Sequence, residues 1–167
     1  MKKLVLLSSF VLLAANISFA ATMKDYNYPE ISMEAPSSLD VNKNNFKDRF
    51  PTQGCCYIKP KAIAVMVIPG KFPDLPSMQK SMTDLSGVQL KDWDLTDQAS
   101  KEAKGWVWRK EFQTNVSDKT VYTVLGHGEK AAYLIMLCAD KKAFTANPGD
   151  YKAWRKSLRV GPKAKAL

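Results

Sequence analysis

Residues 131–139 read AAYLIMLCA and residues 62–68 read AIAVMVI. Neither run carries a charge, and both stop abruptly, 62–68 at Pro69-Gly70 and 131–139 at Asp140-Lys141. Such runs are too short to span a bilayer, which takes about 20 apolar residues. Their length and punctuation signal buried strands. A chain that must bury two of them has to build an interior sheet with something packed against it. The stretch between them supplies a partner. Leu75, Met78, Met82 and Leu85 fall at i, i+3, i+7 and i+10, one apolar stripe of a helix. Asp74 suits its N-cap, Pro76 its first turn, and Gly87 the point where the chain leaves it. Methionines on such a stripe are adaptable core filler rather than a ligand set.

Strand-like segments separated by short turns follow. Residues 88–95 alternate Val88 and Leu90 with Gln89 and Lys91, and 98–104 is a polar turn. Residues 105–114 place Trp106, Trp108 and Phe112 on one face and Val107, Arg109 and Glu111 on the other. A turn at 115–119 leads into a strand at 120–125, and Gly126-His127-Gly128-Glu129 reads as a tight hairpin. Short links between successive strands predict an antiparallel meander. The last element opens at Asn147-Pro148, a cap followed by a first helical residue. Tyr151, Trp154 and Leu158 share one face of it. Lys152, Arg155, Lys156 and Arg159 lie beside that face, and Val160-Gly161-Pro162 ends the helix. The predicted class is α+β: an antiparallel sheet flanked by helices, with no internal repeat.

The N-terminus carries a different kind of signal. Lys2 and Lys3, an apolar run over 4–15 and Ser18-Phe19-Ala20 form the parts of a secretory signal peptide, with cleavage expected after Ala20. No Cys follows the cut, so a lipid anchor there is not expected. The predicted organisation is a signal peptide over 1–20, an extended polar arm over 21–54, one α+β domain over 55–160 and a basic tail over 161–167. The arm is broken by Pro29, Pro36 and Pro51 and has room for short strands near 31–34 and 45–50. The expected location is periplasmic or extracellular.

Charge is distributed unevenly. The chain has 25 Lys and Arg against 16 Asp and Glu. Without Lys2 and Lys3 the excess is +7. Residues 21–140 hold 15 of each sign, whereas 141–167 hold eight cations and one acid, Asp150, which is the whole excess. The cations are Lys141, Lys142, Lys152, Arg155, Lys156, Arg159, Lys163 and Lys165. Localised charge of one sign predicts a site for something anionic. A solvated helix face is the bland alternative, since cations near a helix C-terminus gain from the dipole and long stems cover apolar surface.

Export would take the three cysteines, Cys55, Cys56 and Cys138, to an oxidising compartment. Neighbours on a strand point to opposite faces, so at most one of Cys55 and Cys56 can face Cys138. One such bridge is the favoured reading. It would close a loop of about 80 residues, worth roughly 4 kcal/mol. A vicinal bridge and three thiols are the alternatives. No C-x-x-C spacing supports zinc with His127, and no metal or cofactor is expected.

The closing stretch, AAYLIMLCADKKAFTANPGDYKAWRKSLRV, resembles the end of PsbP-like proteins: an apolar strand, a short polar link, a helix with an aromatic pair, then a SLRV-type finish. That group includes the extrinsic PsbP subunit of photosystem II, a nuclear Ran-binding protein and bacterial periplasmic DcrB-type proteins. The resemblance covers roughly residues 63–160 and implies an antiparallel sheet sandwiched between helices. It also implies a binding or assembly role, and it transfers no catalytic residues. The GCCY segment and the long polar arm depart from the pattern.

The remaining candidates are weak. His127, the single histidine, reads as an exposed turn residue before it reads as a general base or ligand. Asp92, Asp94 and Asp97 lack the Gly and terminal Glu of a calcium loop. Trp106 and Trp108 read as a layer packed by a helix before a stacking platform, and Tyr26 and Tyr28 read as exposed. The function expected is a secreted, non-enzymatic binding protein of a Gram-negative bacterium that engages acidic lipid headgroups or a polyanion through its basic C-terminal helix. Export beyond the periplasm would make it an effector or virulence-associated factor. A periplasmic assembly factor docking to an envelope protein complex is the second reading and a small hydrolase the last. Nucleic acid is a poor partner for an exported chain.

Overall fold

The computed structural model describes residues 21–27, 31–42, 61–69, 74–99 and 105–161. Its spine is β8 (Ala131–Asp140), the apolar run singled out above. β8 lies between β4 (Ala62–Pro69) and β7 (Lys119–His127) and is antiparallel to both. β6 (Trp108–Val116) and β5 (Asp94–Ala99) extend the sheet antiparallel beyond β7. On the far side β3 (Asp40–Asn42) runs parallel to β4. The order is β3-β4-β8-β7-β6-β5. The class is α+β, as the sequence predicts. The sheet is mixed rather than wholly antiparallel, because β3 pairs parallel to β4.

That N-terminal stretch differs from an extended arm over its described residues. β1 (Met23–Asn27) and β2 (Ile31–Pro36) form a hairpin, and β9 (Arg159–Val160) pairs with β2 to complete a second, three-stranded sheet. Ile31, Met33 and Ala35 are buried, each two residues from the next, which is the period that gives a strand one apolar face. β2 covers the short strand expected near 31–34 and extends it to Pro36. The strand expected near 45–50 lies outside the described residues.

Because the side-chain period of a strand is two, β8 feeds two cores at once. Tyr133, Ile135 and Leu137 face one side, where they meet the small sheet and the helix α3 (Pro148–Ser157) through Ile31, Tyr151 and Trp154. Leu134, Met136 and Cys138 face the other, against Met78, Met82 and Leu85 of the helix α1 (Leu75–Ser86). The helix signals of α1 hold in detail. Asp74 accepts from the Ser77 amide at 2.8 Å, proline occupies the first turn, and Gly87 closes the helix at φ 69°, a conformation open to glycine.

Four boundaries differ from expectation. The strand predicted at 88–95 is a short 3-10 turn (Leu90–Asp92) followed by β5, which starts at Asp94. Gly126 and His127 belong to β7, so the hairpin turn is 128–130, with the Gly128 amide bonded to the Ala131 carbonyl at 3.0 Å. The polar link after β8 is a short helix, α2 (Lys141–Ala146). The C-terminal helix stops at Ser157, and Arg159 and Val160 turn away into β9 because they pair with Ser32 and Ile31. Asn147 sits at the cap of α3 without capping it; its side-chain amide donates to the Ala143 carbonyl at 3.2 Å instead. The close fit of β9 depends on Gly105. It has φ 86°, and a Cβ there would lie 1.7 Å from the Val160 carbonyl oxygen.

Candidate functional site

The eight candidate cations divide into three sets. Lys141 and Lys142 on α2 and Lys152 and Lys156 on α3 are solvent-exposed. The two helices act as one unit, since the Phe144 and Tyr151 rings stack at 4.4 Å with 24° between planes. Arg159 sits half-buried on β9. Lys163 and Lys165 lie outside the described residues. Arg155 is placed differently from the rest.

At about 100° per residue, Tyr151 and Trp154 define the inner face of α3, and Lys152 and Lys156 fall on its outer side. Arg155 falls on the shoulder between. Its stem is long enough to reach the sheet, and its guanidinium pairs with Glu111 of β6, with Nε donating at 2.9 Å and a terminal nitrogen donating to the same oxygen. The guanidinium carbon also stands 4.9 Å from the centre of the Tyr122 ring, a cation–π distance. Arg155 is therefore paired with a buried carboxylate and leaves the outward set.

Glu111 is the residue the sequence reading passed over. It is fully buried. One carboxylate oxygen accepts from Tyr122 and Arg155, and the other lies 3.2 Å from Arg109, itself buried. A buried carboxylate is stable only when its charge is met, and here Oε2 accepts from Tyr122 and Arg155 while Oε1 has the ion pair with Arg109. Burial raises the Tyr122 pKa, and the neighbouring Glu111 charge raises it further. The available signal was Arg109-x-Glu111: two charges on one face of a strand that pairs with the largely apolar β7.

The other candidates resolve as follows. Trp106 is buried, and its indole N–H donates to the Leu158 carbonyl at 3.2 Å, so it ties β9 to the sheet. It joins the core on the α3 side, while Phe112 and the half-buried Trp108 join the α1 side. The three are not one aromatic face, because Trp106 precedes the regular strand. His127 is half-buried at the end of β7, its ring edge-on to Trp108 at 4.9 Å and its Nδ1 3.3 Å from the Gly128 carbonyl. Asp92 and Asp94 are exposed. Among the described residues, no group of three His, Cys, Asp or Glu side chains is placed to hold a metal ion. Tyr26 sits in β1 opposite Met33, and Tyr28 lies outside the described residues. Cys138 is buried on the α1 side of β8, and Cys55 and Cys56 lie outside the described residues.

A second ionic cluster borders α2. Lys119 bonds Asp140 and Asp118, and Lys61 stands 3.9 Å from Asp140. Hydrogen bonding by Lys119 lowers the Asp140 pKa, and hydrogen bonding to Asp140 and then to Asp118 raises that of Lys119. Asp140 thus pairs with Lys119 of β7 and with Lys61, just ahead of β4. Comparison with protein families and with characterised proteins finds no match, so the reading of this surface rests on geometry.

Proposed function

We propose that the protein is an exported, non-enzymatic binding protein whose α2–α3 unit docks on an acidic lipid surface. The observation that carries this reading is the separation of the two cation sets on one short helix. Arg155 is turned in and paired with Glu111, while Lys152 and Lys156 are exposed, as are Lys141 and Lys142 of the stacked helix. The resemblance to PsbP-like proteins supports a binding role over a catalytic one. An assembly factor docking through an exposed Trp106/Trp108 layer has less support, since Trp106 is buried and Trp108 half-buried.

Each lysine held against an anionic leaflet contributes about 1 kcal/mol, and the contribution is screened by salt. Replacing Lys141, Lys142, Lys152 and Lys156 with Ala should abolish binding to phosphatidylglycerol vesicles while leaving the unfolding midpoint nearly unchanged. Binding of the native chain should fall as salt rises and be absent on phosphatidylcholine vesicles. Binding that survives the four substitutions, or ignores salt, overturns the proposal. Salt-sensitive capture by a soluble polyanion with no vesicle binding would overturn the lipid surface in favour of a glycan.

A further inference from the structure

Cleavage after Ala20 would make Ala21 the first residue of the mature chain. The Ala21 backbone nitrogen lies 3.3 Å from a carboxylate oxygen of Asp150, 129 residues away in sequence. Asp150 stands in the first turn of α3 and is the single acid within 141–167. Neither position is set by this contact alone. The Ser37 amide donates to the Thr22 carbonyl at 2.7 Å, which carries the hairpin register up to Ala21, and β1 and β2 pair from Met23 opposite Pro36 onward. β2 is fastened to α3 in turn, with the Glu34 amide donating to the Ser157 hydroxyl at 2.8 Å.

We propose that Asp150 is the seat of the mature N-terminus, so that removal of the leader converts a hydrogen bond into an ion pair tying β1 to α3. In the uncleaved chain the Ala21 nitrogen is an amide with one N–H. Hydrolysis by a signal peptidase breaks the Ala20–Ala21 bond with one water. The carboxylate remains on Ala20, and Ala21 takes the amine, which is protonated near neutral pH because its ordinary pKa is about 7.7–8.0. The same nitrogen then carries a full positive charge beside a carboxylate, in a partly buried place. The mature small sheet is thereby closed from both ends, by Ala21 on one edge and β9 on the other. This inference rests on the export half of the proposal above and not on the docking surface.

The test uses the chain produced with its own leader in a Gram-negative host. Four proteins are compared: the native chain, Asp150→Asn, a chain with Gly-Ser placed ahead of Ala21, and the two changes combined. The mass of the native product should correspond to a start at Ala21. Each single change should lower the melting temperature by roughly 3 °C, the effect of about 1 kcal/mol in a chain of this size, and the combination should fall no further than either alone. A different mature start, an extension without effect, or simple addition of the two losses overturns the inference. Vesicle binding of the lysine variants is read separately, so the latch and the docking surface fail independently.

Discussion

The two faces of the central sheet are built on different principles. Against α1 the contact is uncharged and mainly apolar: Met78, Met82 and Leu85 pack in one cluster with Val121, Leu125, Leu134 and Met136, with Ser86 and Thr123 also buried. Against α3 the apolar layer of Tyr133, Ile135 and Trp154 surrounds an ionic centre, Glu111 with Arg109, Arg155 and Tyr122. The first kind of layer is held by area and accepts side chains of similar volume. The second depends on each charge keeping its partner. The helix that carries the outward lysines is the one held in the second way.

Substitutions should separate the two layers. The largest loss is expected for Glu111→Ala, about 3–5 kcal/mol by urea unfolding, because buried guanidinium groups lose their counter-charge. Glu111→Leu combined with Arg109→Met and Arg155→Met should recover much of that loss, since apolar side chains of similar volume remove the desolvation penalty and leave no buried charge without its partner. On the α1 side, Met82→Ala should cost about 2–5 kcal/mol, but Met82→Leu less than about 1.5 kcal/mol. A Glu111→Ala protein as stable as Met82→Leu would erase the distinction.

pH gives smaller and sharper contrasts. The Tyr122 pKa is raised in the folded protein, so its contribution is complete below the ordinary tyrosine pKa of about 10 and lost as pH rises beyond it. Tyr122→Phe should therefore flatten the alkaline limb of the stability curve. Smaller still is the surface pair of Lys119 and Asp140. The Asp140 pKa is lowered, so its contribution is present above the usual carboxylate range and lost as pH falls through the folded value. The Lys119 pKa is raised, so its contribution is present below the usual lysine range and lost above the folded value. Lys119→Met should remove a slight dependence at each extreme and leave neutral pH almost untouched, as urea midpoints across pH would show.

Much of this was written in local pattern. β4, β8 and α1 follow from apolar runs, a stripe and caps that lie within a few residues of one another. The elements misread are those decided at a distance. Arg159 and Val160 leave the helical pattern because β2, more than 120 residues earlier, offers them a ladder. The strand at 31–34 is expected from the sequence, but its burial is not: Ile31, Met33 and Ala35 are covered only because β9 and α3 come to them. Arg155 has the right spacing for the outward stripe, and helical phase alone cannot report that a buried carboxylate on β6 draws its guanidinium inward.

The outward and inward cations of α3 allow the most direct test of the central claim. Partitioning onto phosphatidylglycerol vesicles should be compared for Lys152→Ala/Lys156→Ala and for Glu111→Leu/Arg109→Met/Arg155→Met, each checked for native stability. The lysine pair should bind roughly 30-fold more weakly, the effect of about 2 kcal/mol, while the inward set should stay within about twofold of the native chain. Equal binding by the lysine variant and the native protein would contradict the account.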